Sequence, residues 1–386
     1  MRILFITHYD NMYGANRALC KLIRLLKTQY GHEPMLVIPS EGEMTDSLSD
    51  IQIPYMVSGV TQWQAEYTTP LRFFVKKTLR KKKIREEVAA IYEKFKDEKI
   101  DLIHSNSSVI GHGAMLAEMF GCTHVWHIRE FSKEHFSMRY FYDNTFVKNA
   151  YENAGGLICI SDSLKDNYKN KYPKARLFRV YDGVSPADTD SDTGTNSHAS
   201  DMPGKSETVF VYTGYLFSKK HQDTVIEAAA MLRERGITDY KILFAGDGKK
   251  EYREYLQNMI DTKGLDNVKL LGYVSDVNAL LDTADVGIIA SEYEGFGLVT
   301  VEYMLHSLPV IGYNSGATPE IVDNGQTGYI YTETSELADI MSRFIEDKNM
   351  ACKMGTKGRK RAAECFSEEK NAAGIMEVYG EIFKNE

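Results

Sequence analysis

Short apolar runs rich in β-branched residues alternate with amphipathic stretches along almost the whole chain. In the first half, these runs predict strands over residues 2–7, 34–38, 101–104, 124–128, 156–160 and 177–180. A second series predicts strands over residues 208–213, 241–245, 268–271, 286–290 and 309–311. Strands that alternate with helices are typical of parallel sheets covered by helices on both faces. The pattern therefore predicts an α/β fold with two Rossmann-like sheets.

A polar stretch, residues 185–207, separates the two series and has neither a helical nor a strand period. Such a composition is typical of a flexible linker. We predict an N-terminal domain over residues 1–186, a linker over 187–206 and a C-terminal domain over 207–366. The final segment, 367–386, carries apolar side chains at helical spacing, and we expect this amphipathic helix to pack back on the first domain.

Length and composition agree with a folded protein of two domains. A single core rarely serves more than about 250–300 residues, and this chain has 386. The opening run MRILFITHYD is too short for the central region of a signal peptide. No run approaches the roughly 20 apolar residues of a membrane span. Because the five cysteines are also scattered, we expect a cytoplasmic protein.

The sequence predicts no metal site. Asp188, Asp190 and Asp192 have the alternation of a calcium loop, but Gly194 comes one position late. Ala199 stands where such a loop requires a glutamate, and the cysteines lack metal-ligand spacing.

The distribution of charge adds one prediction. The net charge of −8 argues against nucleic-acid binding. Residues 71–85 are the local exception, because they carry eight basic side chains and no acidic one: Arg72, Lys76, Lys77, Arg80, Lys81, Lys82, Lys83 and Arg85. As a helix, this segment places Leu71, Phe74, Val75 and Leu79 at three- and four-residue spacing. We predict peripheral contact of residues 71–85 with the inner face of the plasma membrane; a solvated helix face is the alternative.

The segment 291–330 carries the strongest candidate chemistry. A strand ends near Ala290, a turn contains Gly295 and Gly297, and a helical pattern follows. This order directs backbone amides at a point beyond the carboxyl end of the strand, where a phosphate binds well. Glu294 in the turn and Glu302 one turn into the helix are placed to accept hydrogen bonds from sugar and ribose hydroxyls. Either one alone would more often be a solvated surface residue.

These glutamates carry a family resemblance. With seven residues between them, in SEYEGFGLVTVEYMLHSLPVIG, they resemble the E-x7-E signature of retaining GT-B glycosyltransferases of the fourth family, which includes enzymes of bacterial polysaccharide and glycolipid synthesis. TGYLFSKKHQDTVIEAAAML, FAGDGKKEYREYL, LLGYVSDVNALLDTADVGI and SGATPEIVDNGQTGYI resemble further parts of the donor domain. ITHYDNMYGANRALCKLI, HVWHIRE and LICISDSLKD resemble parts of the first domain, in the same order.

The resemblance implies a fold, a reaction and a set of site residues. We expect two Rossmann-like domains facing each other across a cleft, with the donor mainly in the second and the acceptor mainly in the first. The reaction implied is metal-independent sugar transfer with retention of the anomeric configuration. Catalytic roles are implied for His127, Lys220 and Glu294, and acceptor binding for Arg129 and Glu130. The implied donor-binding residues are Gly14, Gly214, Tyr215, Lys220, Glu294, Gly295, Phe296, Gly297, Leu298, Val299 and Glu302.

The alternatives without a catalytic role are a surface lysine for Lys220, a structural histidine for His127 and a tight turn at Gly14. The expected donor is a UDP- or GDP-type sugar, with no cofactor, and the expected acceptor is a saccharide or a lipid-linked saccharide.

The chain departs from the family pattern at the phosphate clamp. The family's arginine is Tyr215 here, and the glycine after the lysine is His221. A tyrosine donates one hydrogen bond and brings no charge, so the clamp lacks its bidentate cation unless Lys219 compensates. An inactive or regulatory sugar-nucleotide-binding protein therefore remains an alternative, as does a nucleotide-sugar epimerase or a phosphorylase on the same fold.

Overall fold

The computed structural model describes residues 1–67, 69–131, 138–185 and 207–384. The chain divides into two compact units. Unit 1 consists of Met1–Gly183 and Glu368–Glu386, and unit 2 is the continuous segment Val184–Ser367. The predicted linker, 187–206, lies outside the described residues, as do the three aspartates considered for calcium.

Unit 1 is built on a parallel sheet of seven strands in the order β3-β2-β1-β5-β6-β8-β9. A short antiparallel pair, β4 with β7, lies apart from this sheet. The strands are β1 Arg2–Ile6, β2 Glu33–Ile38, β3 Tyr55–Val57, β4 Gln64–Glu66, β5 Leu102–Asn106, β6 Thr123–Ile128, β7 Met138–Tyr140, β8 Gly156–Cys159 and β9 Leu177–Arg179. The helices are α1 Gly14–Thr28, α2 Glu43–Ser47, α3 Pro70–Phe95, α4 His112–Phe120, α5 Asn144–Glu152 and α6 Asp162–Lys171.

Unit 2 has a parallel sheet of six strands in the order β12-β11-β10-β13-β14-β15. The strands are β10 Thr208–Thr213, β11 Tyr240–Ala245, β12 Val268–Gly272, β13 Val286–Ile289, β14 Val310–Tyr313 and β15 Gly328–Tyr331. The helices are α7 Gln222–Glu234, α8 Lys250–Thr262, α9 Val277–Asp282, α10 Leu298–Leu305, α11 Thr318–Ile321, α12 Thr334–Glu346 and α13 Lys348–Cys365.

The strand order places the sites within each unit. In unit 1 the direction of winding reverses between β1 and β5, and in unit 2 it reverses between β10 and β13. At such a point the helices leave the sheet on opposite faces, which opens a crevice at the carboxyl ends of the strands. Ligands of doubly wound α/β folds bind there.

The last helix, α14 (Glu368–Phe383), belongs to unit 1. Its apolar side Ile375, Val378, Tyr379 and Ile382 joins the buried cluster that also contains Ile3, Phe5 and the core side of α1. Burial of such a stripe is the main source of stability for a helix of this kind.

The predicted central strands are confirmed, with ends that differ by one or two residues. The pattern misses β3, β4, β7 and β15, which are short. Across the part of the chain that the structure describes, no helix is both long enough and apolar enough to cross a membrane.

Candidate active site

Lys220 and Glu294 meet at the carboxyl edge of the unit 2 sheet. Lys220 closes a single 3-10 turn, Ser218–Lys220, in the connection between β10 and α7. Its Nζ donates a hydrogen bond to Oε1 of Glu294, although the two residues are far apart in sequence. Tyr212 Oη anchors this connection by donating to the carbonyl of Lys220 at 2.7 Å. The pair is partly shielded from solvent, with side-chain exposures of 28% and 13%, so its electrostatic attraction exceeds that of a surface pair.

The turn that carries Glu294 is fixed by the loop after β14. Ala317 donates its amide to the carbonyl of Glu294 at 3.0 Å, and Ser315 Oγ donates to the carbonyl of Glu292. Gly316 has a φ of 57°, and a Cβ added there would lie 2.5 Å from the carbonyl oxygen of Glu294. Glycine is therefore required for the loop to approach the turn so closely.

Helix α10 begins directly after this turn with an uncapped N-terminus. Gly297, at the N-cap, has a φ of 90° and brings no side chain to cap the helix, and the first turn contains no acidic residue. Free amides and the helix dipole together favour an anion at this point. Leu298 and Val299 are half-buried in the first turn, Phe296 is buried, and Glu302 is half-buried one turn on.

Tyr215 and Lys219 lie in the same connection but outside the Lys220–Glu294 pair. Tyr215 is 55% exposed. Lys219 Nζ lies 3.0 Å from Oε2 of Glu292, and this hydrogen bond raises the pKa of Lys219. Lys219 therefore has its own carboxylate partner, as Lys220 has Glu294.

Two glycines set the start of this connection. Gly214 has a φ of 139°, and its carbonyl lies so close to Gly246 that a Cβ on Gly246 would come within 1.9 Å of the oxygen. The Gly214 amide donates to Ala245 at 2.9 Å, and Leu216 donates to Asp247 at 2.8 Å. Gly246 thus allows close packing of the loop between β10 and α7, which we call the donor-side loop. The sequence pattern alone did not indicate this role.

In unit 1, His127 lies in a buried polar cluster at the carboxyl end of β6. Its Nδ1 lies 3.1 Å from Nε2 of His104 and 3.4 Å from Nη2 of Arg129. Arg129 also donates to both oxygens of Asp182 and, through Nε, to Asn106 at 2.6 Å.

The contacts define the tautomers of the two histidines. A guanidinium can only donate, so Nδ1 of His127 is an acceptor and its proton lies on Nε2. His104 consequently donates from Nε2, and its Nδ1 accepts from Oη of Tyr379 at 2.6 Å. Among the described residues, no hydrogen-bond partner reaches Nε2 of His127, whose closest carboxylate oxygen, on Asp182, is 3.9 Å away.

Burial determines the charges in this cluster. It lowers the pKa of His127 well below the ordinary value, and the positive charge of Arg129 adds to the effect. Burial likewise lowers the pKa of His104, again with help from Arg129. Both imidazoles are therefore neutral near neutral pH. Burial raises the pKa of Asp182, against the opposing effect of Arg129.

The two residues expected to bind acceptor have partners inside unit 1. Arg129 is held by Asp182, and Glu130 accepts hydrogen bonds from Ser107 Oγ at 2.9 Å and from the Ser108 amide at 2.7 Å. Ser107 adopts a φ of 119°, a strained conformation that is common at functional sites. Sequence reasoning missed His104, Asn106, Ser107 and Asp182, although the polar run HSNSS at the end of β5 is a signal for them.

Gly14 is the first residue of α1, which follows the loop after β1. Within the described residues, no side chain caps this helix. The first turn contains no acidic residue, but Glu43 Oε2 accepts from the amide of Met12, two residues before the helix, at 3.0 Å.

Comparison with known proteins decides the family. The family model described as Glycosyltransferase Family 4 matches residues 12–188, and the model described as Glycosyl transferases group 1 matches residues 195–361. The two matches are collinear and together take in most of the chain. The chain belongs to the family 4-type glycosyltransferases.

Curated relatives of this glycosyltransferase are similar over part of their length. It is 29% identical to N-acetyl-alpha-D-glucosaminyl L-malate synthase of Bacillus anthracis over 184 residues, which are 47% of this chain and 48% of the relative. It is 25% identical to alpha-D-kanosaminyltransferase of Streptomyces kanamyceticus over 244 residues, which are 61% and 62% of the two chains. The matched region thus spans roughly half to three fifths of these relatives.

Solved structures show the fold over the whole length. HepE of Anabaena, in complex with UDP, superposes with a TM-score of 0.78 at 22% identity, over 99% of this chain and 100% of that one. Sucrose-phosphate synthase from Thermosynechococcus elongatus gives a TM-score of 0.76 at 20% identity, over 100% of both chains. The expected GT-B fold, with two Rossmann-like domains, is therefore confirmed for this glycosyltransferase.

The described part of this glycosyltransferase contains no group of three or more His, Cys, Asp or Glu side chains placed to hold a metal ion. The predicted site residues form separate groups in the two units. Lys220, Glu294 and the turn before α10 lie together in unit 2, whereas His127 and Arg129 lie together in unit 1.

Proposed function

We propose that this glycosyltransferase moves a sugar from a UDP- or GDP-type donor to a hydroxyl group, with retention of the anomeric configuration and without a metal ion. The observation that carries the proposal is the pairing of Lys220 with Glu294 at the edge of the unit 2 sheet, immediately before the uncapped helix α10. A cation and free helix amides suit a diphosphate, and a carboxylate suits sugar hydroxyls. The complexes of HepE with UDP and with UDP-glucose support the donor class.

In the proposed reaction, the bond between the anomeric carbon and the diphosphate oxygen breaks, and its electron pair leaves with the nucleoside diphosphate. The acceptor oxygen forms the new bond on the same face, and its proton passes to the departing phosphate oxygen. Negative charge therefore grows on the diphosphate in the transition state. Lys220 and the amides of α10 stabilise that charge more than they stabilise the bound substrate, which is the requirement for catalysis.

His127 contributes a neutral hydrogen-bond donor in this proposal. Its pKa is lowered by burial, so the imidazole carries no charge to offer a phosphate. Its Nε2–H has no hydrogen-bond partner among the described residues, and a buried donor without a partner is costly to maintain. A ligand oxygen would satisfy it, and we assign that oxygen to the substrate.

We further propose that the protein binds to the inner face of the plasma membrane through α3. In α3, Leu71, Phe74 and Leu79 are 75%, 66% and 65% exposed, while the opposite side of the helix, including Ile84 and Ile91, is buried. An apolar stripe flanked by basic side chains suits an anionic bilayer surface. We therefore propose a saccharide or lipid-linked acceptor used in cell-surface polysaccharide or glycolipid synthesis.

A binding protein without transferase activity is the second candidate, because Tyr215 replaces the family's arginine and so removes a cation from the phosphate clamp. The two candidates differ in donor hydrolysis and transfer. Purified protein is incubated with UDP- and GDP-sugars, and the released nucleoside diphosphate is measured for wild type, Glu294→Gln and Lys220→Ala. We expect release that falls by about 100-fold or more in both variants. Nucleotide binding without release in the wild type would favour the binding protein.

A further inference from the structure

A cavity of unit 1 lies at the carboxyl ends of its first strands. Its volume is about 430 Å³, and it is bounded by the residues after β1, β2 and β3, by β4 and by one side of α3. The side chains that matter are Lys76, Arg80 and Lys83 from α3, Gln64 from β4, and His8 at the end of β1. The sequence patterns assigned no role to His8 or Gln64, whereas the three cations belong to the basic segment 71–85 that we predicted to contact the membrane.

The cavity has an excess of positive charge. Lys76, Arg80 and Lys83 follow one another at four- and three-residue spacing, so they lie on one side of α3. Within the described residues, neither Lys76 nor Arg80 has an ion-pair partner, and Lys83 lies 3.8 Å from Glu87. Cations left without carboxylates in a concave site attract an anion.

Glu87 is the one carboxylate in the cavity, and its oxygens are already occupied. The amide of Thr61 donates to it at 2.8 Å, as does Thr61 Oγ1, and Nε2 of His112 donates at 2.9 Å. Burial raises the pKa of Glu87, but these hydrogen bonds outweigh burial and hold the pKa below its ordinary value. Three cations therefore face one anion, and the cavity keeps a net positive charge.

Gln64 supplies an independent sign of a ligand. It is 2% exposed, and within the described part of the chain its Nε2 has no hydrogen-bond partner. A buried amide that donates to nothing is destabilising, so such groups are rare unless a ligand satisfies them. An anion in the cavity would supply the missing acceptor.

We propose that this cavity binds a phosphate or diphosphate group of the acceptor. The inference rests on the proposed function, since it names the class of acceptor for the same reaction. Phosphoryl oxygens match the donors present: the planar fork of Arg80, the ammonium groups of Lys76 and Lys83, and the amide of Gln64. One side of α3 therefore lines the cavity with Lys76, Arg80 and Lys83, and another side exposes the apolar stripe.

The test measures binding of inorganic pyrophosphate to the full chain by calorimetry, with the donor site filled by excess UDP. The pocket variant is Lys76→Gln with Arg80→Gln. The matched control, Arg72→Gln with Lys82→Gln, removes one arginine and one lysine from the same helix away from the cavity. We expect about tenfold weaker binding or more in the pocket variant and no change in the control. Equal affinities in the two variants would overturn the proposal.

Further arms separate this site from the donor site and identify the ligand chemistry. Lys220→Ala, which changes the donor site, should leave pyrophosphate binding at the cavity intact. This result does not depend on whether UDP binds, so a failure of the proposed donor site can be told apart from a failure of the cavity proposal. Succinate, an anion without phosphorus, should bind much more weakly, and equal binding would overturn the phosphate assignment. Gln64→Leu should weaken pyrophosphate binding without lowering the free energy of unfolding of the ligand-free protein.

The source of the phosphate is tested last. Glucose 1-phosphate is compared with phosphatidylcholine vesicles that contain a polyprenyl diphosphate, each with wild type and pocket variant. Loss of either interaction in the pocket variant supports the site and names a soluble or a lipid-borne acceptor respectively. Absence of both interactions in the wild type would overturn the proposal.

Discussion

Tyr379 Oη lies 2.6 Å from Nδ1 of His104, and this contact joins the last helix of the chain to the imidazole that hydrogen-bonds His127. With Arg129 donating to Nδ1 of His127, the phenol acts as the donor to Nδ1 of His104 and supports the tautomer that carries the proton on Nε2 of each histidine. Tyr379 is therefore a positioning residue for His127, although it touches no substrate in the proposed reaction.

Replacing Tyr379 by Phe tests the hydrogen-bond chain from Tyr379 through His104 to His127. We expect kcat to fall by about tenfold with little change in donor KM, because His104 loses the hydrogen bond that holds its ring against His127. The unfolding free energy should fall by about 1–3 kcal/mol, since Nδ1 of His104 loses its partner. Tyr151→Phe removes another buried hydroxyl of unit 1, which donates to the carbonyl of Ser108 at 3.1 Å. Similar losses of kcat in both variants would show that stability alone is responsible.

Tyr215→Arg should strengthen binding of a nucleoside diphosphate by up to about tenfold, because it restores a bidentate cation beside Lys220. Titration calorimetry with UDP and GDP measures the effect. Tyr273→Arg is the matched control, since this tyrosine of unit 2 is 79% exposed and the charge change is the same. Identical affinities in the two variants would place Tyr215 outside the phosphate site.

Gly246→Ala should disturb the donor-side loop. The added Cβ would come within 1.9 Å of the carbonyl oxygen of Gly214, so the loop must move, and we expect UDP binding to weaken by about tenfold or more. Gly236→Ala is a control with a similar backbone cost, because Gly236 has a φ of 76° and open space around it. If both variants bind UDP as wild type does, the position of the loop is irrelevant to the donor.

Buried histidines predict a loss of stability in acid. Burial lowers the pKa of His124 to about 3 and that of His8 to about 4, where a nearby His112 adds to the effect. The unfolded chain, with pKa values near 6.5, binds protons first, so stability falls as the pH drops below about 6.5. Each such histidine contributes a slope of up to about 1.4 kcal/mol per pH unit.

Urea unfolding between about pH 7 and about pH 5 measures this slope. His124→Gln should reduce this slope by the contribution of one histidine. The contribution of the carboxylates is the same in both proteins and cancels in the comparison. An unchanged slope would mean that His124 is protonated in the folded state.

The exposed stripe of α3 predicts reversible binding to anionic vesicles. Co-sedimentation should be strong at low salt and weak at high salt, because each cation contributes roughly 1 kcal/mol near the surface and is screened within a Debye length. Leu71→Ser with Phe74→Ser should reduce binding while pyrophosphate affinity stays unchanged. Tyr273→Ser, an exposed aromatic of unit 2, should have no effect. Equal binding to neutral and anionic vesicles, or to neither, would favour a solvated face.

Periodicity predicts the central strands well because their apolar runs are buried, as in β1 and β10. It fails for the antiparallel pair β4 and β7, whose three-residue strands include polar side chains and depend on pairing across a long sequence separation. The same limit applies to the site. Motifs identify Lys220 and Glu294, but no local pattern indicates that Tyr379 contacts His104, 275 positions away. Periodicity and spacing assign a residue to one face of a helix or strand, and they carry no information about a polar partner that is distant in sequence.

The discontinuity of unit 1 has a consequence for biosynthesis. The segment that supplies Ile375 and Tyr379 to its core emerges from the ribosome only after the whole of unit 2. Unit 2 is continuous and can fold as it is made, as domains generally do. Unit 1 must wait with part of its apolar surface uncovered, and the hydrogen bonds from Tyr379 through His104 to His127 form in the same step. Synthesis of α14 and maturation of the site are thereby one event.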